Sequence, residues 1–349
     1  ASSQFGSRLI KNFMYVKLNQ IVLGSYIATY LYCLLVLNAV NDGDKYTFIP
    51  SFSILMAIIA AIVNIILLII FIHQIAVSIQ ADKVLADISV FLAKQVQTLF
   101  PETMGEEKEE NKAVDIASVM ADFPESTVLK SPTSGYLQYI DSDGLMEVIT
   151  QHNALFKLDH RPGSYLVKGM ELGTIYSTIP FKQDTIDTIV DQFVFGKTKT
   201  SEQDVEFSIH QIVEVAVRAL SPGVNDPYTA IAAIDNLTAT LSHLAQVKFP
   251  SQYRYDEDQN LRVVANVLDF QGILNAAFNQ IRQFSAGSPA VIIRLMEALL
   301  IIQKFTTKAS YQKAVLKHAK MVLRLGKQTI KEENDLEDLK KRFKKISKT

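Results

Sequence analysis

The sequence contains a single cysteine, Cys33, among 349 residues. One cysteine cannot form an intramolecular disulfide, so a disulfide-stapled framework is excluded. Signatures of catalysis are missing as well. There is no Gly-x-Ser-x-Gly nucleophile motif, no glycine-rich phosphate loop and no set of residues spaced as zinc ligands. We therefore expect no enzyme, no catalytic residues, no bound metal and no cofactor.

Charged residues are missing from two long segments near the N-terminus. None occurs from 18 to 41, and from 46 to 81 the only ionisable side chain is His73. Each segment exceeds the roughly 20 apolar residues that cross about 30 Å of hydrocarbon. We predict two transmembrane helices, at about 19–40 and 48–72, because neither segment is followed by the cleavage pattern of a secretory signal.

Basic residues flank this predicted hairpin. Arg8, Lys11 and Lys17 precede the first span, and Lys83 and Lys94 follow the second. The connecting loop holds one lysine and two aspartates. The positive-inside rule then places both hairpin ends, and everything after residue 82, in the cytoplasm. We expect a multi-pass membrane protein, with the lipid bilayer as a partner and most of its chain cytoplasmic.

Polar side chains in the predicted membrane segment have more than one interpretation. Asn64, in the middle of the second span, either forms an interhelical hydrogen bond or faces a pore. His73 lies near the cytoplasmic boundary, where a polar residue costs little, and a proton relay is the alternative. Ser3 and Gln4 would lie at a cytoplasmic pore mouth if the first residues continue a preceding helix.

Composition divides the rest of the chain. Apolar residues at helical spacing extend the second span as a stalk helix, which completes a membrane segment 1–99. An acidic linker follows at 100–126. Short β-like runs and glycine- or proline-containing turns at 127–180 predict a small β-barrel-sandwich-like module. This module is similar to biotinyl and lipoyl carrier domains but lacks their Met-Lys-Met attachment site, so no attached cofactor is expected.

Helical patterns dominate the last part of the sequence. Apolar periodicity predicts an α-helical domain at 181–306, including a helix near 258–284. The segment 307–349 is predicted to form basic helices, since fourteen Lys or Arg against five Asp or Glu occur from Lys304 onward. Such a charge could attract anionic lipid. The predicted fold is a membrane α-helical hairpin plus a cytoplasmic α+β region. Nucleic-acid binding is not expected, because the basic tail has few aromatics.

The turn "LSPGVNDPYTA", residues 220–230, concentrates conformationally special residues between two helical patterns. Pro222 ends the first helix by restricting the residue before it. Gly223 is predicted to supply a left-handed backbone conformation. Asp226 followed by Pro227 predicts an N-cap and the start of the next helix.

The same turn has a functional interpretation beside the structural one. Arg218, Ser221, Asn225 and Asp226 are our candidates for contact with a ligand or a neighbouring subunit. Whether the turn is functional or only structural stays open at this point. The remaining enzyme hypothesis is a hydrolase built on four side chains: Asp226, Asp235, His210 and Glu214.

Four segments in order carry a resemblance to a known family: "ASSQFGSRLIKNF", "LGSYIATYLYCLLVL", "IIFIHQIAVSIQ" and "RALSPGVNDPYTA". They resemble the bacterial predicted membrane proteins catalogued as domain of unknown function 2254. The resemblance covers almost the whole chain and implies a bacterial inner membrane location. In that family further transmembrane segments precede the first segment, so we expect two more spans before residue 1. The family implies no established activity.

Two functions from different classes fit these observations. The first is a homo-oligomeric ion channel or pore with a cytoplasmic regulatory domain, since the sequence joins a tight hairpin, a stalk helix and a β module. The alternative is a membrane-anchored ligand-sensing or scaffold protein without transport activity.

Overall fold

The chain divides into an N-terminal unit, Ala1–Ala86, and a C-terminal unit, Asp87–Thr349. A computed structural model describes residues 17–39, 41–43, 46–48, 50–78, 81–99, 116–247 and 249–348.

The N-terminal unit contains the two predicted apolar helices. Helix α1 spans Lys17–Ala39 and helix α2 spans Ser51–Ser78. Between them, strands β1 (Asn41–Gly43) and β2 (Tyr46–Phe48) pair antiparallel. The stretches Gln20–Ala39 and Ser51–His73 are long and apolar enough to cross a membrane. Only 6% of the most apolar part of each stretch is buried. The prediction of two apolar helices near the N-terminus is thus confirmed.

Polar side chains join these two helices. The Ser25 hydroxyl donates a hydrogen bond to Asn64 Oδ1 at 2.6 Å, and the Tyr26 hydroxyl donates to the Asn64 carbonyl at 2.9 Å. Closer to the connecting loop, the Tyr32 hydroxyl donates to the Ser53 carbonyl at 3.1 Å. Lipid gives apolar helices no hydrophobic reason to associate, so such hydrogen bonds contribute directly to helix pairing.

Helix α3 spans Ala81–Leu99 and begins in the N-terminal unit but ends in the C-terminal unit. The sequence predicts one continuous stalk after the second span. The structure places helix over most of that stretch, in α2 and then in α3. Leu92, on the part of α3 in the C-terminal unit, is fully buried.

Two open β-sheets form the first half of the C-terminal unit. Their strands are β3 Glu125–Lys130, β4 Gly135–Ile140, β5 Leu155–Leu158, β6 Tyr165–Leu166, β7 Glu171–Ser177, β8 Phe193–Gly196, β9 Tyr253–Tyr255 and β10 Leu261–Val264. The larger sheet has the order β3-β7-β5-β10-β9 and the smaller has the order β6-β4-β8. Both sheets contribute to one apolar core, which includes Leu137, Phe156, Leu166 and Ile175.

The expectation of a barrel-sandwich-like module at 127–180 is wrong, because neither sheet closes into a barrel. The larger sheet takes β9 and β10 from far downstream, and β10 pairs parallel with β5. Alternation of apolar and polar residues predicts a strand but not the strand it pairs with, so this pairing has no local signal.

The helix predicted near 258–284 is also wrong at its start. Strand β10 occupies part of that segment, and the helix begins at Phe270.

Three short helices accompany the sheets: α4 Ile116–Ala121, α5 Ser142–Gln151 and α6 Gln183–Val190. Helix α5 lies in a segment that we predicted to be β-like. Asp141 caps its N-terminus by accepting a hydrogen bond from the Gly144 N–H. Leu145 and Ile149, four residues apart, are its buried side chains, which is a helical period rather than a strand period.

Six longer helices form the second half of the C-terminal unit. They are α7 Val205–Ala219, α8 Pro227–Leu244, α9 Phe270–Phe284, α10 Pro289–Phe305, α11 Ala309–Thr329 and α12 Glu333–Ser347. Helix α10 packs against α8, α11 and α12. Gly326 allows the approach of α12, because a Cβ atom there would lie 2.2 Å from Leu339 Cδ2. The prediction of a helical C-terminal part is confirmed.

His318 on α11 is fully buried against α9. Its Nε2 lies 3.0 Å from Asn275 Oδ1, which can only accept, so Nε2 carries the proton of a neutral ring. In the part of the chain that the structure describes, the buried Nδ1 has no hydrogen-bond partner. Burial lowers the pKa of His318 to about 4, and the charges of Arg282 and Lys317 contribute.

We predict that acidification destabilises the protein through His318. Between pH 6.5 and about 4 the unfolded chain takes up a proton that the folded chain does not, so stability is lost as the pH falls through this window. The full difference corresponds to roughly 3 kcal/mol. In thermal unfolding from pH 7.5 to 4.5, His318→Gln should lose less stability than wild type. His152→Gln, at an exposed histidine, is the control. Parallel pH profiles for wild type and His318→Gln would contradict the prediction.

Candidate functional site

The turn between α7 and α8 brings together the four candidates Arg218, Ser221, Asn225 and Asp226. The Ser221 hydroxyl donates to the Arg218 carbonyl at 2.6 Å. The backbone N–H groups of Asn225 and Asp226 donate to the carbonyls of Ser221 and Ala219, at 2.9 and 2.8 Å. The Arg218 guanidinium binds Glu214 Oε1 at 3.0 Å within α7. The described contacts of all four residues therefore include bonds that shape this part of the chain.

Asp226 is the N-cap of α8, as predicted, and Pro227 is the first residue of that helix. One carboxylate oxygen accepts the Thr229 hydroxyl at 2.6 Å, and the other accepts the Thr229 backbone N–H at 3.1 Å. These two bonds hold the pKa of the Asp226 carboxyl below its usual range.

The left-handed residue of the turn is Asn225, with φ of 48°, and not Gly223. Our assignment of that conformation to Gly223 is therefore wrong. Asparagine is one of the few residues with a side chain that enters this region readily, since its short amide can bond locally. Asn225 thus has a backbone role that sequence reasoning missed. Contact of this turn with a ligand or subunit stays a prediction.

The side chains of the hydrolase hypothesis have separate partners. Asp235 binds Arg294 at 2.5 Å, and His210 lies 3.8 Å from Glu206. Asp226 caps α8 and Asp235 lies within that helix nine residues later, about 13 Å along the helix axis. That separation is too large for two carboxylates that act on the same bond of a substrate. The described residues contain no group of three or more His, Cys, Asp or Glu that could hold a metal ion.

Of the membrane candidates, Asn64 is 5% exposed and bound to Ser25, as described above. His73 is exposed near the end of α2. Ser3 and Gln4 lie outside the described residues.

A cavity of about 320 Å³ lies within the C-terminal unit, where the sheets meet the start of α7. Its apolar lining includes Met146, Leu158, Tyr253, Tyr255 and Val263. Arg161, Gln203, Asp204 and Asn266 add polar groups. This volume is at the lower end of the range of about 300–1,000 Å³ for small-molecule sites, which are typically apolar with few polar groups.

The β9–β10 wall of this cavity is fixed by a buried ion pair. Arg262 Nε donates to Asp256 Oδ2 at 2.7 Å, and less than a tenth of either side chain is exposed. The same guanidinium donates to Asn153 Oδ1 at 2.7 Å. Because Asn153 lies between α5 and β5, Arg262 connects three elements that border the cavity.

Asp204 lines the cavity and is 5% exposed. Its Oδ1 caps α7 by accepting the Phe207 N–H at 3.0 Å. Its Oδ2 is buried and has no hydrogen-bond partner among the described residues, and Lys199 Nζ lies 3.7 Å away. Gly163, with φ of 93°, permits this packing, because a Cβ there would lie 2.0 Å from Oδ2. Burial raises the pKa of the Asp204 carboxyl.

A second charged group borders Asp204. Arg161 forms an ion pair with Glu206, and His210 lies on the other side of the same carboxylate at 3.8 Å. Roughly a third of the Arg161 side chain is exposed, so solvent reaches this pair. The polar end of the cavity thus holds both a cationic group and a buried carboxyl group.

Helix α3 is bonded to the segment that forms this polar end. The Gln95 side-chain amide donates to the Ser201 carbonyl, and Ser208 Oγ donates to Gln95 Oε1 at 2.9 Å. Gln95 is 5% exposed and Ser208 is fully buried. Ser201 and Ser208 lie on either side of Asp204 in sequence, so Gln95 spans the cavity-lining start of α7. Ser89 Oγ adds a bond from α3 to Asn236 Oδ1 on α8, at 3.0 Å.

A family model described as a predicted membrane protein, DUF2254, matches residues 1–300. The chain belongs to this family. Uncharacterised proteins of Mycobacterium bovis and of two Mycobacterium tuberculosis strains are 30% identical in an alignment of 345 positions that covers 96% of this chain. The chain spans 64% of the length of these relatives. No solved structure matches it.

Sequence reasoning missed the cavity and Gln95. Asp204 had a readable signal, because an aspartate directly before an apolar helical pattern is typical of an N-cap. Gln95 had none, since its partners Ser201 and Ser208 are 106 and 113 residues away.

Asp226→Ala should destabilise the protein by about 1 kcal/mol at pH 7, through loss of the N-cap. Because the folded pKa is lowered, the contribution of the carboxylate is present above the unfolded pKa and is lost on acidification. The difference from wild type in thermal unfolding should therefore shrink towards pH 3, and Asp226→Asn should lie between the two. A much larger loss, constant with pH, would show that Asp226 does more than cap α8.

Asp204→Asn should keep the bond to Phe207 and remove a buried charge. Since the folded pKa is raised, the wild type loses stability as the pH rises from the unfolded to the folded pKa, and Asp204→Asn does not. The thermal midpoint of the variant minus that of wild type should therefore increase from pH 4 to pH 7. A difference that decreases over this range would show that Lys199 and the cap outweigh burial.

Proposed function

We propose that this chain is a membrane-anchored ligand sensor, whose C-terminal unit lies in the cytoplasm and binds a small molecule in the cavity beside Asp204. The single observation that carries the proposal is the position of Gln95. It hydrogen-bonds the helix that follows the hairpin to Ser201 and Ser208, which flank the cavity-lining residues Gln203, Asp204 and Val205 in sequence.

The cavity supports the sensing half of this proposal. A mainly apolar site with a buried carboxyl and a nearby guanidinium fits a small organic molecule that carries a polar group. A ligand that contacts Gln203 or Asp204 would change the position or the freedom of the start of α7. Gln203 Oε1 accepts a hydrogen bond from the Ile140 N–H at 3.0 Å, and Gln203 Nε2 donates to the Ile140 carbonyl at 3.1 Å. The ligand would therefore act on β4 as well.

The bonds of α3 support the transmitting half. A displacement of Ser201 or Ser208 must move Gln95 or break its hydrogen bonds, and a broken bond would leave buried polar groups unpaired. Ligand binding would therefore bias the position of α3, and α3 leads towards α2 in the hairpin. The size of the bias is limited by the difference in ligand affinity between the two states.

We further propose that the hairpin forms part of a homo-oligomeric ion channel or pore, as predicted from the sequence. Opening of this channel would be the response to ligand binding. Two helices cannot enclose an ion path, so a path would require several copies of the chain or further segments of each. The mid-span amide of Asn64 is already hydrogen-bonded to Ser25 of the same hairpin. A channel would therefore need neighbouring copies of the chain and ions as its partners.

The ligand half is tested with the full chain in detergent by thermal-shift screening of a metabolite collection. A cavity ligand should raise the midpoint of wild type but not of Ser142→Trp, which places a large ring at an exposed position on the cavity rim. Ser310→Trp, at an exposed position near the start of α11, is the matched control. If no compound distinguishes wild type from Ser142→Trp, the sensor proposal fails.

The transmitting half is tested by hydrogen exchange in Ala81–Leu99. The ligand should slow exchange there several-fold in wild type. Gln95→Leu should still bind the ligand, but hydrogen exchange in α3 should no longer change. An equal change in wild type and Gln95→Leu would exclude transmission through Gln95.

The channel is tested by ion flux in proteoliposomes. Ligand-dependent flux in wild type that is absent from Ser142→Trp would support it. If there is no flux but hydrogen exchange in α3 still responds to the ligand, the channel proposal fails and a sensor without transport activity remains.

A further inference from the structure

Helix α11 carries a row of basic residues along one side. Lys313, Lys317, Lys320, Arg324 and Lys327 recur at intervals of four and three, which keeps them on one helix face. We call these five residues the α11 basic stripe. No Asp or Glu occurs anywhere in α11. The stripe extends over fifteen residues of helix, and its first and last members are about 21 Å apart along the axis.

The stripe faces away from the helical core. The opposite face of α11 is buried, at Ala314, Val315, His318, Ala319, Val322 and Gly326. All five stripe residues are exposed. The burial pattern, rather than sequence periodicity alone, therefore fixes the outward direction of these charges.

Within the described part of the chain, no ion pair neutralises the stripe. On two of the helices that pack against α11, Asp338 of α12 binds Arg342, and Glu297 of α10 binds Arg342 and Arg294. These two carboxylates are thus directed to other arginines. Like charges at helical spacing repel one another, so the stripe costs stability unless an anionic partner is present.

We propose that the α11 basic stripe binds anionic lipid headgroups of the bilayer that holds the hairpin of the same chain. The hairpin keeps the bilayer at high effective concentration around α11, whereas a soluble partner must be recruited. Clusters of four to eight Lys or Arg are typical of surfaces that bind anionic lipids.

The composition of the stripe also favours lipid. Four of its five members are lysines, which act as mobile point charges and suit headgroups that rearrange laterally. From Lys313 to Lys327 the sequence contains no Phe, Tyr or Trp on which a base could stack, so single-stranded nucleic acid is less favoured. The consequence is a C-terminal unit held against the membrane by charge, independently of any ligand in the cavity.

The test is lysine acylation with mass spectrometry on the full chain in nanodiscs. Phosphatidylcholine discs are compared with discs containing roughly a third phosphatidylglycerol. Acylation of Lys313, Lys317, Lys320 and Lys327 should fall several-fold in the anionic discs, while Lys168 and Lys182, also exposed, should not change. In 1 M salt the protection should disappear, since the Debye length falls to about 3 Å.

A charge-matched pair of variants separates a specific surface from net charge. Lys313→Glu, Lys320→Glu and Lys327→Glu together should remove the protection of Lys317. The same number of reversals at exposed lysines elsewhere, Lys168, Lys182 and Lys197, should leave it intact. Equal acylation of wild type in both discs would overturn the proposal. Protection in neutral discs by added nucleic acid or an acidic polypeptide, without protection by anionic lipid, would also overturn it.

Discussion

Gln95 is a buried amide, and a buried amide must find partners for both its donor and its acceptor. It finds them at Ser201 and Ser208, on the two sides of the residue that caps α7. The end of α3 is thereby fixed to the start of α7, which lines the cavity at Asp204 and Val205. Loss of one partner would leave polar groups unpaired at a cost of about 1–3 kcal/mol each.

The other features of the C-terminal unit depend on the same junction. Asp204 caps α7 while its second oxygen stays buried beside Gly163, so the cap, the loop and the cavity occupy one place. The Arg262 ion pair holds the β9–β10 wall of the cavity. Helix α3 is hydrogen-bonded to Ser201 and Ser208 on either side of Asp204, and it begins in the N-terminal unit that contains the two apolar helices.

The sequence predicted the elements whose signals are local. Two uncharged apolar runs predicted α1 and α2, and the Asp226–Pro227 pair predicted the start of α8. The sequence could not predict the pairing of β5 with β10, because the two strands of a parallel pair can lie far apart in the chain. Asn225 was left without a structural role because glycine is the more common left-handed residue. Gln95 was missed because both its partners are distant in sequence. The candidate site was therefore placed at a conspicuous turn, while the cavity is built from inconspicuous residues.

The most direct test of this account is a double-mutant cycle on Gln95 and Ser208 in the full chain. The free energy of unfolding is measured for wild type, Gln95→Leu, Ser208→Ala and the double variant. Two residues that share a buried hydrogen bond should show a coupling free energy of about 1 kcal/mol or more. Additive effects, within about 0.3 kcal/mol, would contradict the hydrogen bond between Gln95 and Ser208. The proposed transmission from the cavity through the start of α7 to α3 would then lose one of its two hydrogen bonds at Gln95.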